Sequence, residues 1–326
     1  MKRLITALAA IAFVVGAATH NRAMAADLPD LYLNGDSGFG LQAFDKDGSY
    51  MQYRNQHGYS RGVVLSPDKT TVYTSAVVQQ EVRAYDRDLG SSNSDYDVFI
   101  NTGAVDPYGM VFGPGRNLYA VYSNAGVIKK YSSSGALLDS SFADIVAAGG
   151  IGPTDLAFGG PHGNLYVTTG TNNDNIKWSV MEFDGTTGAF IGTVLDNATD
   201  GVYKPWGIDF GPDGKLYVAN RGTNAIYQSD ADGSNLNPTW GTYPAASNIQ
   251  DIDWGDWDLY ATAYVEHNAA PWDMTQLLRY SIAGGSSPTL LGGLKNGNSI
   301  SIVVVPEPAT LGLIALGGML ILRRRR

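Results

Sequence analysis

Four aspartates, Asp155, Asp209, Asp251 and Asp253, fall at related places in short apolar runs that recur along the chain. If those runs are strands, side chains alternate with a period of two and all four carboxylates emerge on one side. Carboxylate oxygens suit a hard cation such as calcium or magnesium, which makes the four candidate metal or ligand groups. The same groups would serve equally as acceptors for neighbouring backbone N–H groups. Other chemistries find less support. The chain has no cysteine, which removes thiol nucleophiles, thiolate zinc sites and disulfides. His57, His162 and His267 lie in separate repeats without a metal-ligand pair. No serine sits in a nucleophile elbow, and no glycine-rich phosphate loop precedes a helix. The acidic run from Asp251 to Asp258 lacks the glycine and closing glutamate of an EF-hand loop. Asp45-Lys46-Asp47-Gly48 and Asp230-Ala231-Asp232-Gly233 read as hairpin turns. No catalytic residue is assigned.

The strands that must carry the aspartates repeat about every 47 residues. One strand recurs as Gly62-Val63-Val64-Leu65, Gly109-Met110-Val111-Phe112, Asp155-Leu156-Ala157-Phe158, Gly207-Ile208-Asp209-Phe210 and Asp251-Ile252-Asp253-Trp254, with a sixth copy at Ser299-Ile300-Ser301-Ile302. A tight turn follows each of the first five, as in Gly211-Pro212-Asp213-Gly214. The next strand carries a tyrosine after an aliphatic residue: Tyr32, Tyr73, Tyr119, Tyr166, Tyr217 and Tyr260, spaced 41, 46, 47, 51 and 43 apart. Six tyrosines at one structural position imply packing between sheets rather than chemistry. A third strand follows each, and a weaker outermost one includes segments such as Ala189-Phe190-Ile191-Gly192.

About four short strands per repeat predict an all-β fold, a six-bladed β-propeller. The first repeat begins at Leu31-Tyr32 and lacks an innermost strand, so Ser299–Val304 is expected to supply it from the other end. A ring closed in this way hides sheet edges that would otherwise pair with other chains. The segments leading into the innermost strands carry Arg61, Tyr108 and Trp206, which with Asn220 are candidate ligand-binding residues. Aromatic faces beside polar groups suit a sugar, through stacking and hydrogen bonds.

Both ends read as addresses. Residues 1–25 have a basic start (Lys2, Arg3), an apolar core and an Ala23-Met24-Ala25 cleavage site, the pattern of a secretory signal. Residues 26–304 form the propeller, and 305–326 a separate tail. That tail runs Pro306-Glu307-Pro308, then fourteen uncharged residues, then Arg323, Arg324, Arg325 and Arg326. Fourteen residues make a helix of about 21 Å, a short span that snorkelling arginines can lengthen. The arginines would stay cytoplasmic and leave the propeller outside. Between the ends, residues 27–305 hold 15 basic and 30 acidic side chains, a field that repels nucleic acid.

The tail resembles the PEP-CTERM sorting signal of exported Gram-negative bacterial proteins, on its Pro-Glu-Pro motif, its apolar stretch and its arginines. The resemblance implies the secretion machinery and an exosortase as partners, an inner-membrane intermediate, and then a cell-surface or extracellular location linked to exopolysaccharide or biofilm. The repeat pattern resembles NHL-repeat and gluconolactonase-like propellers. Gluconolactonase-like propellers hold one divalent cation at the channel mouth, which would polarise a lactone carbonyl with an aspartate as base. No glutamate on an early blade stands in a matching position here. The leading expectation is therefore a non-catalytic binding or scaffold module for polysaccharide or a surface protein. A metal-dependent lactonase-like hydrolase is the alternative.

Overall fold

The computed structural model describes residues 28–305, apart from 36–39, 55–59, 91–95, 104–106, 171–176, 244–247, 266–273, 283 and 296–298. The secretory signal with Ala23 and Ala25, the tail from Pro306 to Arg326, His57 and His267 lie outside the described residues.

The strands follow in chain order and form six four-stranded sheets. The first sheet holds β1 (Leu31–Gly35), β2 (Leu41–Phe44) and β3 (Tyr50–Arg54), and the second β4 (Ser60–Leu65), β5 (Thr71–Ala76), β6 (Glu81–Asp86) and β7 (Asp97–Asn101). The third has β8 (Pro107–Phe112), β9 (Leu118–Tyr122), β10 (Val127–Tyr131) and β11 (Leu137–Asp144), and the fourth β12 (Pro153–Gly159), β13 (Asn164–Thr169), β14 (Ser179–Phe183) and β15 (Phe190–Asp196). Then come β16 (Pro205–Phe210), β17 (Leu216–Asn220), β18 (Ala225–Ser229) and β19 (Asn237–Thr242). The sixth sheet is β20 (Asn248–Trp254), β21 (Asp258–Val265), β22 (Met274–Ser281) and β23 (Gly284–Lys295). One parallel pairing, Gly241 with Gly285, joins the outer edges of the fifth and sixth sheets. Finally β24 (Ser299–Val304) returns to pair antiparallel with β1, so the last strand among the described residues is the innermost of the first blade. Six blades close as a ring.

The register corrects one alignment. In every other blade the variable position of the innermost strand faces the marker tyrosine, as Val64 faces Tyr73 and Asp253 faces Tyr260. In the first blade Val303 faces Tyr32, so the sixth copy is Ser301-Ile302-Val303-Val304, two residues later than Ser299-Ile300-Ser301-Ile302. A shift of two keeps every side chain on its face, which is why the alternation concealed it.

The marker tyrosines sit between blades. Tyr73 packs edge-on against Phe112, Tyr119 against Phe158, Tyr166 against Phe210 and Tyr217 against Trp254, with centroids 5.4, 4.8, 4.9 and 4.9 Å apart. Each pair joins the second strand of one blade to the end of the next blade's innermost strand. Tyr260 meets Val304, and Tyr32 meets Leu65, in the same place. Edge-to-face rings add about 0.5–1.5 kcal/mol beyond the area they bury. Both proposed hairpin turns form, with Asp45 accepting from the Asp47 and Ser49 amides and Asp230 O from the Gly233 amide. Among the described residues no helix is long and apolar enough to cross a membrane.

Candidate functional site

Every innermost strand carries one extra residue near its start. Ser60 pairs with Ala76 and then Val63 with Thr74; Pro107 with Tyr122 and then Met110 with Ala120; Pro153 with Thr169 and then Leu156 with Val167. The same step recurs at Pro205 to Ile208, Ile249 to Asp251 and Ser299 to Ser301. These are β-bulges, which bend a strand and re-aim the side chain they contain. In five blades the bulged segment contains Arg61, Tyr108, Thr154, Trp206 or Gln250. The Arg61 guanidinium lies over the Tyr108 ring at 4.7 Å, linking neighbouring blades.

A bulge frees amides that the ladder no longer pairs, and hydroxyls two residues after the marker tyrosine accept them. Ser75 Oγ accepts from the Arg61 and Gly62 amides at 3.1 and 2.7 Å. Thr168 Oγ1 accepts from the Asp155 amide, and Thr262 Oγ1 from the Asp251 amide, both at 3.2 Å. From that position Asn34 Nδ2 also donates to Gly62 O at 3.0 Å, crossing to the next blade. The sequence reading missed this set. Its signal was a polar residue after Leu-Tyr-x in four of six repeats.

The four candidate aspartates do come together at the channel, and each reaches the following blade. Asp155 Oδ2 accepts from the Ile208 amide at 3.2 Å and Asp209 Oδ2 from the Trp254 amide at 3.2 Å. Asp251 Oδ2 accepts from the Ile302 amide at 2.9 Å and Asp253 Oδ2 from the Val304 amide at 2.5 Å. A glycine on the preceding blade makes room for two of them. A Cβ on Gly109 would stand 2.2 Å from Asp155 Oδ1, and one on Gly207 would stand 2.3 Å from Asp251 Oδ1. Glycine and aspartate therefore alternate through blades three to six because each aspartate needs a bare backbone beside it.

Burial raises the proton affinity of three of these acids. Burial, and then the Asp251 carboxylate, push the Asp155 carboxyl well above the usual carboxylate range. Burial and then Asp209 do the same to Asp253. Asp209 itself is pushed up to about 6 by burial, while a hydrogen bond from Asp253 and the Phe210 and Trp254 amides pull the other way. A divalent cation calls for ionised oxygens converging on one point. Among the described residues no three acidic or histidine side chains form such a group, so these aspartates do not fit a metal cage.

Beside this ring a cavity of about 330 Å³ opens at the mouth, between the fourth, fifth and sixth blades. Trp206 lines it, with the Arg221 guanidinium 5.0 Å over its ring. Lys204 and Tyr203 form the lip, Lys204 Nζ standing 5.7 Å from the Trp178 ring centre. Asn220 lies behind that lip, fully buried. Its Oδ1 accepts from the Tyr203 amide at 2.7 Å and its Nδ2 donates to Gly201 O at 3.2 Å, so it shapes the loop. Lys204, Arg221, Tyr203 and Asn248 were not singled out from sequence, because three loops bring them together. The run Lys204-Pro205-Trp206 was the visible clue.

Comparison with known proteins agrees with this architecture. The SMP-30/Gluconolactonase/LRE-like region matches residues 13–171, just under half of the chain, and the PEP-CTERM protein-sorting motif matches residues 304–326. Among curated proteins none matches in sequence. A protein of unknown function from Bacteroides caccae superposes with a TM-score of 0.59 at 12% identity, covering 86% of this chain and 100% of that one. A gluconolactonase from Xanthomonas campestris gives 0.57 at 16%, covering 84% and 89%. Virginiamycin B lyase from Staphylococcus aureus gives 0.52 at 15%, covering 84% and 86%. At such identities the likeness shows the fold alone. The sorting motif implies export, membrane-linked sorting and processing by an exosortase. The chain is thus a six-bladed propeller that resembles the SMP-30/gluconolactonase/LRE-like family over its first half and carries a PEP-CTERM sorting motif at its C-terminus.

Proposed function

We propose that the propeller works outside the cell as a non-catalytic binding module for matrix or surface glycan, delivered by its two end signals. The observation that supports this reading is the use made of the channel aspartates. Each accepts a backbone amide of the next blade, so they tie the ring together instead of presenting a free base to a substrate. The residues at the mouth have the composition of a binding surface, aromatic faces beside cations and an amide.

The competing reading is a lactonase-like hydrolase using the same aspartates, and the similar structures include an enzyme of that name. The decisive experiment measures lactone hydrolysis by the purified protein with calcium, with magnesium and with a chelator, beside binding to exopolysaccharide. The binding module predicts no turnover above buffer under any metal and saturable glycan retention. Turnover abolished by chelator and by Asp251→Asn, in a variant that still unfolds cooperatively, would overturn it.

A further inference from the structure

The mouth cavity differs in charge from the molecule around it. Residues 27–305 carry twice as many acidic as basic side chains, yet the charged residues lining this cavity are Lys204 and Arg221. Their separation by sixteen residues of sequence, on the approach to β16 and the turn after β17, makes their convergence a product of the fold.

Lys204 has a left-handed backbone, φ +52°, directly before Pro205. A side chain is strained there, a following proline adds to the conflict, and glycine would relieve it. Asn248 also lines the cavity, with a side-chain amide that can donate to or accept from a ligand.

The geometry points to a pocket for a single carboxylated sugar residue. This rests on the binding-module reading and gives it a ligand class. The carboxylate meets Lys204 and Arg221, a ring hydroxyl meets the Asn248 side-chain amide, and the sugar face lies along the Trp206 and Tyr203 side. A volume of about 330 Å³ is at the small end of ligand pockets and suits a ring rather than a stretch of polymer.

The test titrates the purified protein with sodium glucuronate, glucose, glucuronolactone and inorganic phosphate, reading tryptophan fluorescence and heat. Glucuronate is expected to bind saturably, with glucose and phosphate each at least about tenfold weaker. Lys204→Gly is the informative variant, since it removes charge and strain together. It should weaken glucuronate about tenfold while leaving the melting temperature equal or higher, whereas a purely structural lysine would lose stability without a change in selectivity. Arg221→Gln should weaken it similarly. Equal affinity for glucose overturns the charge selection and leaves the binding module standing. Phosphate as tight as glucuronate overturns the sugar and leaves a bare anion site. Glycan binding untouched by both variants removes the pocket, and hydrolysis of the lactone removes the binding module itself.

Discussion

The seam between the second and third blades and the seam between the sixth and first are built from different materials. In the former, backbone meets backbone: a Cβ on Gly62 would stand 2.3 Å from Tyr108 O, Val64 and Met110 pack together, and Tyr73 meets Phe112. In the latter, Asp251 and Asp253 reach across to the Ile302 and Val304 amides. The difference follows from what each seam must hold. The innermost strand of the third blade is backed by its own continuous hairpin. The strand β24 comes from the far end of the chain and joins its sheet through β1 alone. Single aspartate-to-amide clips also cross the seams before the fifth and sixth blades, and the seam where closure depends on one ladder carries two.

The largest effect should come from removing that strand. A chain ending at residue 298 exposes the β1 edge and leaves two buried acids without their amides. Loss of the cooperative melting transition, with aggregation, is the expected outcome by circular dichroism and light scattering. Ending the chain at residue 305 should leave the transition intact. Next in size is the clip itself. Asp253→Ala strands the Val304 amide and should cost about 1–3 kcal/mol in denaturant unfolding. Asp253→Asn should cost little at neutral pH, because an amide can both accept from Val304 and donate to Asp209. Equal losses in both would show that ionised Asp253, rather than its hydrogen bonds, holds the seam.

This contrast also marks how far the sequence could be read. Blade number, strand order and closure were legible because Leu-Tyr and Pro-Asp markers recur at regular spacing. The register of β24 was not. Ser299-Ile300-Ser301-Ile302 and Ser301-Ile302-Val303-Val304 alternate alike, and no turn follows to fix the frame; the observed pairing buries Val304 and Val305, which lie beyond the sheet in the other register. The gathering of the four aspartates was legible from alternation, but their bonds to the next blade were not, since contacts between repeats leave no local pattern. The bulges had a partial signal in Pro107, Pro153 and Pro205, which share one column where a ladder amide is dispensable. The pocket was the least visible part, because it gathers single residues from separate loops.

The acidic seams should give the protein an unusual response to pH. Burial pushes Asp209 up to about 6 in the folded chain, against an ordinary value of 3.8, and Asp155 and Asp253 are raised in the same direction. Between those values the folded chain binds more protons than the unfolded one, so stability falls as pH rises. Protonation favours the fold fully below pH 3.8, and that contribution is lost as pH rises through about 6. Turn carboxylates act in the opposite sense at lower pH, as Asp68 does with its carboxyl lowered to about 2 by Ser66 and Thr70. The melting temperature should therefore peak near pH 4 and drop by a few degrees, on the order of 1 kcal/mol, by pH 7.5. Asp253→Asn should flatten that slope, and a slope unchanged in the variant would mean that the acids at the axis are not its source.

The smallest expected effect comes from moving an acidic clip to the apolar side. Val111 holds in the third blade the place that Asp209 holds in the fifth, each facing its marker tyrosine, and the Phe158 amide corresponds to that of Trp254. Val111→Asp should reach that amide, so the gain of a charge-assisted bond offsets the lost burial of a half-exposed valine. It also adds a fifth acid to the bore, whose repulsion grows with pH. The net change should stay within about 1 kcal/mol near pH 5 and turn clearly destabilising by pH 8, as read from paired denaturant titrations. A loss of equal size at both pH values would mean that the transplanted carboxylate finds no amide. The clips would then depend on the bare glycines of their own half of the ring as much as on the aspartates.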